Sequence, residues 1–291
     1  MPEAIDGLST LFVITVALAA LAAAMPLLLA SLGEIVGEQA GVLNLGIEGV
    51  MLLGALSGFI VGYGSGQPLL GYLVALFVGL FASIPMVVAV MLGLNQIVVG
   101  LSVYLGGLAL TSIAFDTWLA AENPRIAAGA TWAPVFPLLL SVAVWWWLSR
   151  TRGGLLLRAT GLNPRGVDVV GTSVTRVRVG AVLFGGALAG LGGAYLSLQV
   201  VGSFTPAMTQ GLGFLAIVVA MLARERVWVG ILSALIYGVM VSIGTASQLT
   251  TVSIPSDVIE MAPFILVIVV LSFARFRTTG SAALGNSYIR M

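Results

Sequence analysis

Few residues in this chain are equipped for chemistry, and they fall in four short segments. The first runs Gly33-Glu34-Ile35-Val36-Gly37-Glu38-Gln39-Ala40-Gly41-Val42-Leu43-Asn44-Leu45-Gly46-Ile47-Glu48-Gly49, with three carboxylates in an apolar stretch. Glu34 and Glu38 read as residues of a cytoplasmic turn. Glu48 has two readings. With Asn44 one turn before it, it lines a cavity where a glycine-flanked break exposes backbone polar groups; or it is an interface carboxylate capping the short helix that follows. The second segment is Asn95-Gln96, either a tight turn between two spans or the start of a pore-lining helix.

The third segment is the break between Arg150 and Arg178, which holds six of the twelve basic residues. Leu155 to Arg158 reads as a short amphipathic helix. Asn163-Pro164 then starts a second one, because Asn is a good N-cap and Pro suits the first helical position. Such a pair either lies on anionic headgroups or docks a soluble partner. The fourth segment runs from the glycine-rich stretch 180–198 through Pro206 to Gly211-Leu212-Gly213, which predicts a half-helix entering from the outer side. Phe204 and Phe214 flank it, placed for packing or for stacking on a solute.

What is missing narrows the chemistry. All twelve basic residues are Arg; there is no Lys, His or Cys. A phosphate-binding P-loop lysine, the common zinc sites, imidazole proton relays, thiol chemistry and disulfides are therefore excluded from this chain. No paired carboxylates within the membrane point to an integral membrane enzyme.

The elements that must carry these segments are membrane helices. Hydrophobic residues make up 59% of the 291 and charged residues only 8%, where a soluble domain carries about 25%. The apolar runs are continuous rather than alternating, which favours an all-α bundle over a barrel. With roughly 20 residues needed per span, the sequence predicts about nine, near 9–31, 41–61, 69–91, 96–115, 131–149, 179–200, 211–223, 228–245 and 258–274, the second and seventh broken. Alternating spans place every arginine except Arg125 on one side, so the positive-inside rule puts the N-terminus out and the C-terminus in. Trp145-Trp146-Trp147 marks the cytoplasmic headgroup level. Glu3 and Asp6, without a basic n-region, argue against a cleaved signal peptide. A single transmembrane domain over 1–291, with a cytoplasmic loop at about 150–178, accounts for the whole chain.

Three motifs carry a family resemblance: Glu38 to Gly49, Gly161-Leu162-Asn163-Pro164 with Gly171 after it, and the glycine-rich run closing at Gly211-Leu212-Gly213-Phe214-Leu215-Ala216-Ile217. There the chain resembles the permease subunits of ABC importers of the ribose, nucleoside and branched-chain amino acid group, most of all the shorter nucleoside-type permease. The resemblance implies a pair of permeases, with a heterodimer favoured over a homodimer. It also implies cytoplasmic ATPase subunits that bind ATP and Mg, an extracytoplasmic binding protein or lipoprotein, and a bacterial or archaeal cytoplasmic membrane. It implies no cofactor in this chain, no catalytic residue or metal, and no nucleic-acid partner.

The same resemblance makes Arg158, Gly161, Asn163, Pro164, Arg165 and Gly171 the ATPase-coupling loop. Arg165-Gly166-Val167-Asp168 departs from the alanines more usual there. Asn44, Glu48, Asn95, Gln96, Phe204 and Phe214 are the candidates for the translocation path of a nucleoside, sugar or similar small polar solute. The alternative is a stand-alone ion-coupled secondary transporter, supported by the broken helices and by the carboxylates Glu48 and Glu260.

Overall fold

The computed structural model describes residues 2–120, 124–126, 133–223 and 226–248, with 261, 265 and 284–285. Among these there is helix and no strand. In chain order the helices are α1 (Pro2–Gln39), α2 (Ile47–Ser65), α3 (Pro68–Ala82), α4 (Ile84–Leu92), α5 (Gln96–Trp118) and α6 (Val135–Arg150). Then follow α7 (Arg152–Leu162), α8 (Pro164–Val169), α9 (Val174–Tyr195, continued as a π-helix over Leu196–Val201), α10 (Leu212–Ala223) and α11 (Val227–Gln248).

Among the described residues, six stretches are long and apolar enough to cross a bilayer: Phe12–Gln39, Ile47–Ser65, Pro68–Leu92, Gln96–Trp118, Val174–Val201 and Val227–Ser247. Val135–Arg150 and Leu212–Ala223 are apolar but shorter. The expected spans at 131–149 and 211–223 therefore correspond to short helices. The one at 258–274 lies outside the described residues except for Met261 and Ile265, both helical.

Boundaries differ where a local stop signal was misjudged. The first helix does not end near residue 31; it runs to Gln39, so Glu34 and Glu38 lie within a helix, buried, and not in a surface turn. Its real stop is Gly41 at φ +82. The amide of Val42 returns to the carbonyl of Gly37 and that of Gly41 to Glu38, both at 2.9 Å, a Schellman closure that requires a left-handed residue. Pro68–Leu92 is one span with a joint at Ser83, where Pro85 withholds a backbone donor and the Ser83 hydroxyl donates to the Gly79 carbonyl.

Helix α9 occupies the middle of the bundle, packed on α1, α2 and α3. These helices approach until backbone meets backbone. A methyl group at Gly33 would lie 2.8 Å from the Gly185 carbonyl oxygen, and one at Gly54 would collide with Gly190. Close approach of this kind suits a lipid solvent, in which van der Waals packing rather than apolar burial holds helices together. Helix α11 lies along α1, and α10 packs against both.

Candidate functional site

Two places gather the polar residues. The first surrounds the non-helical segment 40–46 between α1 and α2. Buried backbone with no helical partners must find acceptors elsewhere, and here side chains supply them. The Asn44 amide donates to Glu34 Oε1 at 3.1 Å, the Leu43 amide to Gln96 Oε1 at 3.0 Å, and the Gly46 amide to Asn44 Oδ1 at 3.0 Å. Arg178, 2% exposed, donates from Nε to the Ala40 carbonyl at 3.1 Å, placing a cation at the negative end of α1. Arg178 is thus a buried residue of α9 rather than a loop arginine facing water.

Glu48 completes this region from the first turn of α2. Its Oε1 accepts from the Thr209 hydroxyl at 2.5 Å and the Gly211 amide at 2.9 Å, and its Oε2 accepts from the Gly213 amide at 2.6 Å. The carboxylate therefore caps α10, a helix far away in sequence, and not the helix that follows it. A carboxylate at a helix N-terminus meets both the orphan amides and the positive end of the dipole. Residues 202–211 fold to make this meeting possible: Ala207 and Gln210 adopt positive φ (58° and 45°), and a side chain on Gly213 would collide with Glu48.

The remaining path candidates separate into buried and accessible. Phe204 is buried against Phe115, ring centroids 6.1 Å apart. Phe214 is partly exposed, edge-on to Tyr104 at 5.1 Å. Asn95 is exposed and caps α5, accepting from Ile97 and Val98 amides at 3.0 and 3.3 Å, while its neighbour Gln96 is buried. The structure thus brings Asn44, Glu48 and Gln96 together around segment 40–46 and leaves Asn95 outside that network. Glu34, Arg178 and Thr209 belong to this region without having been singled out as site residues. The only sequence signal for Glu34 was its charge in an apolar run.

The second place is the helix pair α7–α8. Thr151 caps α7 by accepting from the Gly154 amide at 3.2 Å, and Asn163 caps α8 by accepting from Gly166 at 3.0 Å, with Pro164 at the first helical position. Gly171 at φ +88 ends the pair. Arg158 faces back into the protein: Nη2 donates to the Leu148 carbonyl at 3.0 Å and Nε to Gly154 at 3.4 Å, fixing α7 to the end of α6. Gly161 is buried, and Arg165 is exposed. The outward surface is apolar for so polar a segment: Leu162 is 53% exposed, Val169 88% and Val170 83%. No group of three or more metal-ligating side chains occurs among the described residues.

Comparison with known sequences places this apolar helical bundle in a family. Residues 16–274 match the model of the branched-chain amino acid transport system permease component family. The chain belongs to that family. This permease is 30% identical to the putative glucose ABC transporter permease protein of Haloferax volcanii, the alignment covering 88% of this chain and 90% of the relative. It is 29% identical to a nucleoside ABC transporter permease protein of Lactococcus lactis, over 91% and 93% of the two chains. It is also 27% identical to a guanosine ABC transporter permease protein of Bacillus subtilis, over 94% and 95%. No solved structure matches the chain. Family membership and the apolar helices make this permease a multi-pass membrane protein.

Proposed function

We propose that this chain is one of two permease subunits of an ATP-driven importer for a nucleoside or a similar small polar solute, including sugars. The observation that carries the coupling part is the α7–α8 pair: two short helices with their own caps, ending in two valines more than four-fifths exposed. Exposed adjacent valines on a rigid tip are costly in water and suited to an apolar groove of a partner. The partner is a cytoplasmic ATPase that binds ATP and Mg. An extracytoplasmic binding protein delivers the solute, and the second permease is a related but different chain. Similarity to permeases named for nucleoside, guanosine and glucose transport supports the solute class.

In this reading residues 1–291 form one permease domain in a bacterial or archaeal cytoplasmic membrane. It has about nine spans, some of them broken, with the N-terminus outside and the 150–178 loop and the C-terminus inside. Closure of the ATPase pair moves α7–α8, and because Arg158 ties α7 to α6, the displacement passes into the bundle and alternates access to the path. Of the path candidates, Asn95 and Phe214 are the accessible ones; Asn44, Glu48, Gln96 and Phe204 shape the wall from behind. The chain has no cysteine, so single cysteines placed at exposed positions report sidedness directly. Arg165→Cys labelling from the outside would refute the topology.

The double variant Asn163→Gly/Pro164→Gly tests the coupling. It is expected to insert normally while ATP-driven uptake by the assembled transporter falls at least tenfold or the ATPase is lost on purification. Normal uptake with the ATPase retained would overturn the assignment. Proteoliposomes holding this chain alone separate the alternative, since solute uptake driven by a proton or sodium gradient without ATPase would establish a secondary transporter.

A further inference from the structure

A cavity of about 220 Å³ opens where the end of α6, the start of α11 and α7 meet. Arg158 of α7 and Arg226, the residue before α11, both line it, together with Ser149 and the indoles of Trp145 and Trp228. No Asp or Glu among the described residues lines it. Two arginines on such a lining make the hollow positive. Arg158 uses Nε and Nη2 on carbonyls and has further N–H donors of its five to offer. The Arg226 side chain is exposed at the rim, where an incoming anion can reach it. The first amides of α11 are close by and add the positive end of a helix dipole.

The size and the rim narrow the ligand. Sites for whole small molecules run to about 300–1,000 Å³, so this hollow suits a single anionic group. Trp145 and Trp228 are 43% and 54% exposed, and indoles in that position sit at headgroup depth beside the acyl region. We propose that the cavity binds a phosphate-bearing anion, supplied by the headgroup of an anionic phospholipid in the leaflet at the arginine-rich end of the bundle. The phosphate would bridge Arg158 and Arg226 and thereby brace α7 against α11. The proposal holds whether or not the chain works with an ATPase, because it rests only on this end of the bundle meeting a membrane surface.

Thermal unfolding of the purified full-length chain in a neutral detergent tests it, with short-chain phosphatidylglycerol, short-chain phosphatidylcholine and inorganic phosphate added separately. A ligand that binds only the folded form raises the midpoint according to its concentration and dissociation constant. The expected result is that phosphatidylglycerol stabilises the wild type at lower concentration than phosphatidylcholine. Arg226→Gln should weaken that response about tenfold, the scale of one charge-assisted contact. Arg226→Lys should keep most of it, and Arg152→Gln, outside the cavity, all of it. A response to inorganic phosphate that Arg226→Gln also removes supports the site with a free anion as its source; no response to phosphate assigns the lipid. Equal effects of the two lipids on the wild type, an unchanged response in Arg226→Gln, or no stabilisation by any of the three overturns the proposal.

Discussion

The junction around Glu48 and the α8 tip treat polar and apolar groups in opposite ways. At the junction, charged and amide side chains are buried and serve backbone groups from distant segments. At the tip, the caps are made within a few residues and the apolar side chains are left outside. One region takes its partners from across the bundle; the other takes its caps from within its own few residues. That difference separates stability from coupling, since damage at the first should unfold the protein and damage at the second should leave it folded and idle.

The largest effect is expected at Glu48. Glu48→Ala strands the buried Gly213 amide and Thr209 hydroxyl and the part-buried Gly211 amide, at about 1–3 kcal/mol for each buried group, and should reduce folded, monodisperse protein in size-exclusion profiles to a small fraction. Glu48→Gln keeps one acceptor oxygen and should fall between that variant and the wild type. A Glu48→Ala protein with an unchanged melting midpoint would erase the distinction between the two regions. Next in size is Gly54→Ala, which drives a methyl into Gly190 and should cost about 1–3 kcal/mol as overpacking, read as a lower midpoint. The smallest effect on stability belongs to Val169→Ser/Val170→Ser, expected within about 0.5 kcal/mol of wild type, while ATP-driven uptake by the assembled importer should drop severalfold. A large loss of stability from this pair would show that the tip is packed on the bundle after all.

What could be read from the chain follows the same division. The Asn163-Pro164 start of α8 was legible because a cap is a local rule, written within three residues. The helical class and most span positions were legible from composition and run length. The end of α1 was missed because Ser31, Gly33 and Glu34 look like a polar break, whereas their burial depends on helices packed around them. Arg176 and Arg178 are indistinguishable as letters, yet the first is exposed and the second buried against the end of α1; only the position of α9 decides. The partner of Glu48 was hidden for a related reason. A carboxylate in the first turn of a helix ordinarily serves that helix, and nothing between residues 48 and 211 announces that another helix begins beside it.

The Glu48 cap also bears on how the protein is made. Helix α10 has 12 residues, about 18 Å of rise, against roughly 30 Å of hydrocarbon, so it cannot settle across a bilayer by itself. During synthesis its leading amides emerge long after Glu48 does, so the acceptor precedes its donors along the chain. The order of residues along the chain thus sets an order of delivery, in which the acceptor is made before the segment that needs it.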